Sequence, residues 1–144
     1  MIEHSKHFQR FSLKGQRALI TGGTRGIGLE ISKAMSEAGA EVYINGRDAD
    51  ILNKLCTEMT NEGYGVSPAL FDVTDIQATE TWLDSQTEPP SILVNNAAIR
   101  NRSQISEIKP EDFSKVIENN LTAAYALARN IALRFKNTNR SGSI

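Results

Sequence analysis

Cysteine and tryptophan each occur once, at Cys56 and Trp82, and no run of residues approaches the ~20 apolar positions needed to cross a bilayer. A single cysteine excludes an internal disulfide and a multi-cysteine metal cage, and it fits a reducing cytoplasm. Cys56 is expected to pack as an ordinary helix residue. The N-terminus lacks the apolar core of a secretory signal, so a cytoplasmic location is predicted. Charge of one sign is missing too: 16 Lys and Arg face 17 Asp and Glu, a net charge of −1. That balance leaves no broad footprint for nucleic acid or an anionic membrane, and neither is predicted as a partner. The only histidines, His4 and His7, could share a helix face, but no acid or third ligand stands near them, so no metal site is predicted.

What is present is one domain's worth of chain, 144 residues of which 40% are hydrophobic, enough for a single core. Its most informative stretch is Ala18 to Met35, ALITGGTRGIGLEISKAM: a short apolar strand, a glycine-rich turn and an amphipathic helix. In such a turn, backbone N–H groups and the positive end of the helix can meet a pyrophosphate without side-chain bulk in the way. Gly22, Gly26 and Gly28 stand as G-x-x-x-G-x-G, not as the common G-x-G-x-x-G. Nor does Gly-Lys-Ser/Thr follow, which disfavours an NTP-hydrolysing phosphate loop. Alone, a glycine turn can also be no more than a tight strand-to-helix connection.

The rest of the chain supplies context. Met1 to Gly15 reads as a polar leader with Phe8, Phe11 and Leu13 as apolar anchors. Strands are predicted at 16–21, 41–46, 65–73 and 91–97, with Pro68 near the start of the third, where a missing N–H does least harm. Helices are predicted after the glycine turn up to Gly39, from a cap at Asp48 to Asn61, and from a cap at Asp75 past Leu83 toward Pro89-Pro90. Trp82 is read as a packing residue on the last of these. A long helix from Pro110 carries Phe113, Val116, Ile117, Leu121, Ala124, Leu127, Ile131 and Phe135 at helical spacing.

Alternating strand and helix predicts an α/β fold, a doubly wound parallel sheet in the order 3-2-1-4, with a crevice between strands one and four. The first strand is a continuous apolar run, as in a sheet covered on both faces. Ser141 to Ile144 reads as a turn entering another strand, and strand four is expected to be an edge that promotes self-association.

Thr21-Gly22-Gly23-Thr24-Arg25-Gly26-Ile27-Gly28, Asp72-Val73, Asn95-Asn96-Ala97 and Asn119-Asn120-Leu121, in this order, resemble the short-chain dehydrogenase/reductase family. The resemblance extends from about residue 11 onward and covers the family's first half. It implies a Rossmann-type NAD(P)-binding domain over 16–144, with the cofactor pyrophosphate on Gly22 to Gly28, adenine beside Asp72 and Val73, and the nicotinamide ribose near Asn96 and Ala97. Each has a structural alternative: Asp72 as a turn cap, Asn96 as a strand bridge. The resemblance gives Asn120 a part in holding a water of the proton relay, and a mid-helix asparagine is a poor helix former without such a purpose. Ala98 departs from the glycine common there.

Cofactor choice follows from charge. An NAD site places an acid about 20 residues beyond the glycines, and an NADP site uses arginine. Here Gly46 stands at the acid's place, Arg47 follows, and Arg25 lies in the turn, so two guanidinium groups could fork a 2′-phosphate. NADP(H) is therefore preferred over NAD(H).

The family moves hydride between nicotinamide and a carbonyl or alcohol carbon, using a tyrosine, a lysine and a serine. No Tyr-x-x-x-Lys occurs here; Tyr43, Tyr64 and Tyr125 all lack a lysine four residues on, and the chain stops before the expected catalytic serine. FSLKGQRALITGG, INGRD and NNAAIRNRS look most like gluconate 5-dehydrogenases and neighbouring sugar-acid or polyol reductases. The expectation is an NADP(H)-dependent oxidoreductase represented by its N-terminal part, inactive alone, and homo-oligomeric through the long helix when complete. The alternative is a non-catalytic nucleotide-binding or interaction module. A nucleotide-sugar epimerase is disfavoured, because that group spaces its glycines G-x-x-G-x-x-G.

Overall fold

The computed structural model describes residues 8–138 and 141–144. His4 and His7 lie outside the described residues. Four parallel strands, β1 (Arg17–Ile20), β2 (Glu41–Gly46), β3 (Val66–Leu70) and β4 (Ile92–Val94), form one sheet in the order β3-β2-β1-β4. This is the order expected from right-handed crossovers with a reversal after the third strand.

Alternation along the buried strands divides the core between two faces. Ala18 and Ile20 of β1 point with Val42 and Ile44 of β2 toward α1 (Gly26–Glu37) and α2 (Ala49–Asn61), meeting Leu52, Cys56 and Met59. Leu19 and Leu93 point the other way, toward α3 (Ile76–Ser85) and α5 (Ala123–Thr138), meeting Leu83, Leu127, Ile131 and Phe135. Covering on both faces explains why Leu19, Ile20 and Ile44 are fully buried. Cys56 is buried as a packing residue, and its thiol pKa is pushed up by that burial. Trp82 packs edge-on against Tyr43, ring centres 5.2 Å apart, and against Phe71 at 5.3 Å.

The helix ends follow local chemistry. Asp48 accepts from the Ile51 N–H at 3.0 Å and Asp75 from the Ala78 N–H at 2.9 Å, each capping its helix. α1 ends in paired bonds, Gly39 N–H to Ser36 O and Ala40 N–H to Met35 O, which satisfy carbonyls of its last turn.

Three expectations are corrected. Phe11 is 76% exposed and anchors nothing; Leu13 ties the leader down, packing on the core and donating its N–H to Ala38 O at 2.8 Å. Pro68 sits in the middle of β3, which is shorter than expected, and is tolerated because β3 is an edge strand. The helix from Pro110 is not continuous: α4 (Pro110–Ile117) passes through a π turn at Glu118–Thr122 into α5. The wider turn shifts the helical phase, so the apolar stripe splits in two. Leu127, Ile131 and Phe135 cover the sheet, while Phe113, Ile117 and Leu121 are exposed.

At the β4 edge, Ser143 forms a parallel bridge with Ile92, its N–H donating to Ser91 O and its carbonyl accepting from Leu93 N–H.

Candidate functional site

The C-terminal ends of the strands open onto a cleft of about 480 Å³ at the switch point between β1 and β4. Its floor is the glycine turn. Gly22 has φ of +60°, and a Cβ there would lie 3.0 Å from the Ala97 Cα. At Gly28 a Cβ would lie 2.5 Å from both the Asn96 amide nitrogen and the Gly22 carbonyl oxygen. The helix–loop contact is thus too close for any side chain, which draws the start of α1 against the strand ends. The N-cap of α1, Arg25, has extended backbone and makes no side-chain cap, so the first N–H groups of the helix remain available to an anion.

Behind this floor lies a hydrogen-bonded frame. Thr21 is buried; its hydroxyl donates to Val94 O at 3.2 Å and accepts from the backbone N–H groups of Asn96 and Ala97 at 2.9 and 3.0 Å. The Asn96 amide donates to Thr21 O and Gly22 O at 2.9 and 3.1 Å. Asn45, also buried, donates to Ala69 O and Phe71 O and accepts from the Gly22 N–H. One amide therefore fastens the end of β2 to β3 and to the turn.

The walls carry the charged groups. Asp72 accepts from the Thr74 N–H and hydroxyl at 2.9 and 2.7 Å and stands 3.7 Å from Arg47. The Thr74 backbone bond is the main reason its carboxyl is held below the usual range, with Arg47 adding to the effect. Arg47 is largely exposed and Arg25 is exposed, so neither guanidinium is locked in place.

Of the residues singled out in the sequence, Gly22, Thr24, Arg25, Gly26, Ile27, Gly28, Arg47, Asp72, Val73, Asn96 and Ala97 line this one cleft. Two do not. Thr21 stands behind the wall as a strut. The Asn120 amide is engaged with the Ile99 peptide, accepting from its N–H at 2.9 Å and donating to its carbonyl at 2.8 Å. Asn45 and Asn119 are cleft residues to which the sequence assigned no role, although Asn119 belongs to one of the signatures quoted. The signals were a polar residue within the apolar run of β2 and the first half of an Asn-Asn pair.

The cradle fits a dinucleotide. Gly22 and Gly28, which leave no room for a Cβ, an uncapped helix N-terminus, and two exposed arginines, of which Arg47 has only a long contact with Asp72, suit a diphosphate with a further anionic group. Comparison with known proteins decides the family: the short chain dehydrogenase profile matches residues 16–144. The chain belongs to the short-chain dehydrogenase family. Among curated members, it is 37% identical over 129 residues to the gluconate 5-dehydrogenase of Gluconobacter oxydans, covering 88% of this chain and 50% of that one. It is 36% identical to the galactitol 2-dehydrogenase of Rhizobium johnstonii, covering 84% and 48%. A solved short-chain dehydrogenase, the gluconate 5-dehydrogenase of Burkholderia cenocepacia in complex with NADP and tartrate, superposes with a TM-score of 0.86 at 31% identity, covering 95% of this chain and 55% of that one. The chain thus spans about half the length of the short-chain dehydrogenases it matches. No helix among the described residues is long and apolar enough to cross a membrane.

Proposed function

We propose that this chain is the cofactor-binding part of an NADP(H)-dependent oxidoreductase acting on a sugar acid or polyol in the cytoplasm. The observation that carries the reading is Gly46. It occupies the place where an acid would take a ribose 2′-hydroxyl, and a Cβ there would lie 2.8 Å from the Thr24 methyl. With Arg47 next to it and Arg25 in the turn, the local charge is positive where an NAD site is negative. Arg47 leaves only a long, exposed contact with Asp72 to meet a phosphate, and such pairs contribute little. The solved NADP complex of a related gluconate 5-dehydrogenase supports the same cofactor, and the galactitol and gluconate enzymes support the substrate class.

In this reading Gly22 to Gly28 hold the pyrophosphate, Asp72 and Val73 flank the adenine, and Asn96 and Ala97 meet the nicotinamide ribose. When bound, the cofactor supplies or accepts the hydride. Asn120 serves the site by holding the Ile99 loop, and is proposed to help hold a water of the proton relay. Turnover is proposed for the protein carrying the tyrosine and lysine that this sequence lacks. The exposed row Phe113, Ile117, Leu121 and Tyr125, four residues apart, is where a second copy is proposed to pair.

Titration followed by nicotinamide fluorescence tests the cofactor. NADPH is expected to bind at least about tenfold more tightly than NADH, and Arg47→Ala to remove most of that difference. Equal affinity for the two would sink the preference.

A further inference from the structure

Asn119 is the residue of the cleft whose chemistry is unfinished. Its side-chain oxygen is buried and has no hydrogen-bond partner, the one such side-chain atom among the described residues. Its neighbour Asn120 pairs both ends of its amide with the Ile99 peptide, so the two halves of the pair have divided: one amide faces the loop, the other lines the cleft beside Asn96, Ala97 and Ile99. Both sit in the π turn, where the widened backbone sets this stretch apart from the regular helix on either side. A buried amide oxygen without a donor is a liability that an apolar side chain of the same shape avoids. Thr21 and Asn45, buried beside the glycine turn, have their side-chain groups engaged within the chain, and the Asn96 amide donates to Thr21 O and Gly22 O. Asn119 is relieved only by a donor from outside it.

We infer that Asn119 reads the bound dinucleotide, its amide accepting a hydrogen bond from an O–H or N–H donor of the cofactor. The inference rests on the cofactor reading above. Two sources offer that donor, the adenosine half with its ribose hydroxyl and adenine amine, and the nicotinamide half with its ribose and carboxamide.

The test titrates the full chain and two variants, Asn119→Leu and Asn119→Ala, with NADPH and with adenosine 2′,5′-bisphosphate, alongside thermal melts without ligand. The expected result is an affinity for NADPH about tenfold weaker in Asn119→Leu, with a melting temperature no lower than that of the unaltered chain. Asn119→Ala, which adds no volume, shows the same loss of affinity should leucine not be accommodated. Equal weakening toward the bisphosphate assigns the donor to the adenosine half; weakening toward NADPH alone assigns it to the nicotinamide half. Unchanged NADPH affinity in the variants overturns the inference and leaves the amide to a water. A fall in melting temperature that accounts for the lost affinity overturns it as well, because the role is then structural. Failure of the unaltered chain to bind NADPH overturns the cofactor reading itself, and this inference with it.

Discussion

Asn120 and Ile99 are joined by a reciprocal pair of hydrogen bonds: the side-chain amide of one accepts from and donates to the peptide groups of the other, at 2.9 and 2.8 Å. Side chain thereby imitates a strand neighbour, and the π turn is stitched to the loop that leaves β4. That loop forms one wall of the cleft, so the shape of the cleft depends on a residue that does not line it.

Asn120→Ala should therefore loosen the wall without touching a ligand. Loss of two exposed hydrogen bonds is expected to destabilise the fold by roughly 1–2 kcal/mol. NADPH affinity should fall with it, and exchange of the Ile99 amide hydrogen should quicken. Unchanged exchange at Ile99 would count against the clamp.

Asn45→Leu tests the frame behind the glycine turn. The amide is buried and serves Ala69 O, Phe71 O and the Gly22 N–H. Leucine matches its shape yet strands those three backbone groups, so a loss on the order of 3 kcal/mol is expected in urea unfolding. A loss below about 1 kcal/mol would mean water replaces the amide without penalty.

Gly28→Ala should be more damaging than its size suggests. The added methyl would lie 2.5 Å from Asn96 Nδ2 and from Gly22 O, within the packed contact between α1 and the strand ends. The helix must back away, breaking the Asn96 bonds. NADPH binding should be lost, whereas Gly26→Ala, where nothing lies within 4 Å, should keep more of it despite a φ of +56°. Equal binding in the two variants would refute the close-approach argument.

The fold was legible because its signals are local and repeated: an apolar run for each strand, Asp48 and Asp75 as caps, glycines at the turn. The order of strands followed from connection handedness. The division of labour within Asn119-Asn120 was not legible, since it depends on a π turn that no spacing rule announces. For the same reason one apolar stripe was read where there are two. That Thr21 stands behind the cleft wall was not legible either, because a buried hydroxyl strut and a ligand contact look alike in sequence.

Asp72 gives a pH dependence of defined sign. Its carboxyl is held below the ordinary value of 3.8, first by the Thr74 N–H and further by Arg47. The folded state therefore binds the proton less readily than the unfolded chain. The stabilisation is fully present above 3.8 and is lost as pH falls through the lowered value. Asp72→Asn should match the unaltered chain's stability more closely at pH 3 than at pH 7. A constant gap across that range would show that the carboxylate is not the source.

The two apolar rows of the long helix should respond oppositely to charge. Leu127 of α5 is buried against the sheet with Ile131 and Phe135, whereas Leu121 of the π turn is 62% and Tyr125 of α5 67% exposed. Placing lysine at 127 forces a charge into the core and should prevent folding; truncation to alanine there should cost ~2–5 kcal/mol. Leu121→Lys meets solvent in a lone copy and should leave the melting temperature nearly unchanged. If the exposed row pairs with a second copy, the same substitution must desolvate an ammonium group on each side of the contact. Sedimentation should then show assembly weakened at concentrations where the unaltered chain associates. Should Leu121→Lys sediment like the unaltered chain, the exposed row is not the surface through which copies meet, and any association runs elsewhere, with the outer edge of β3 the next place to probe.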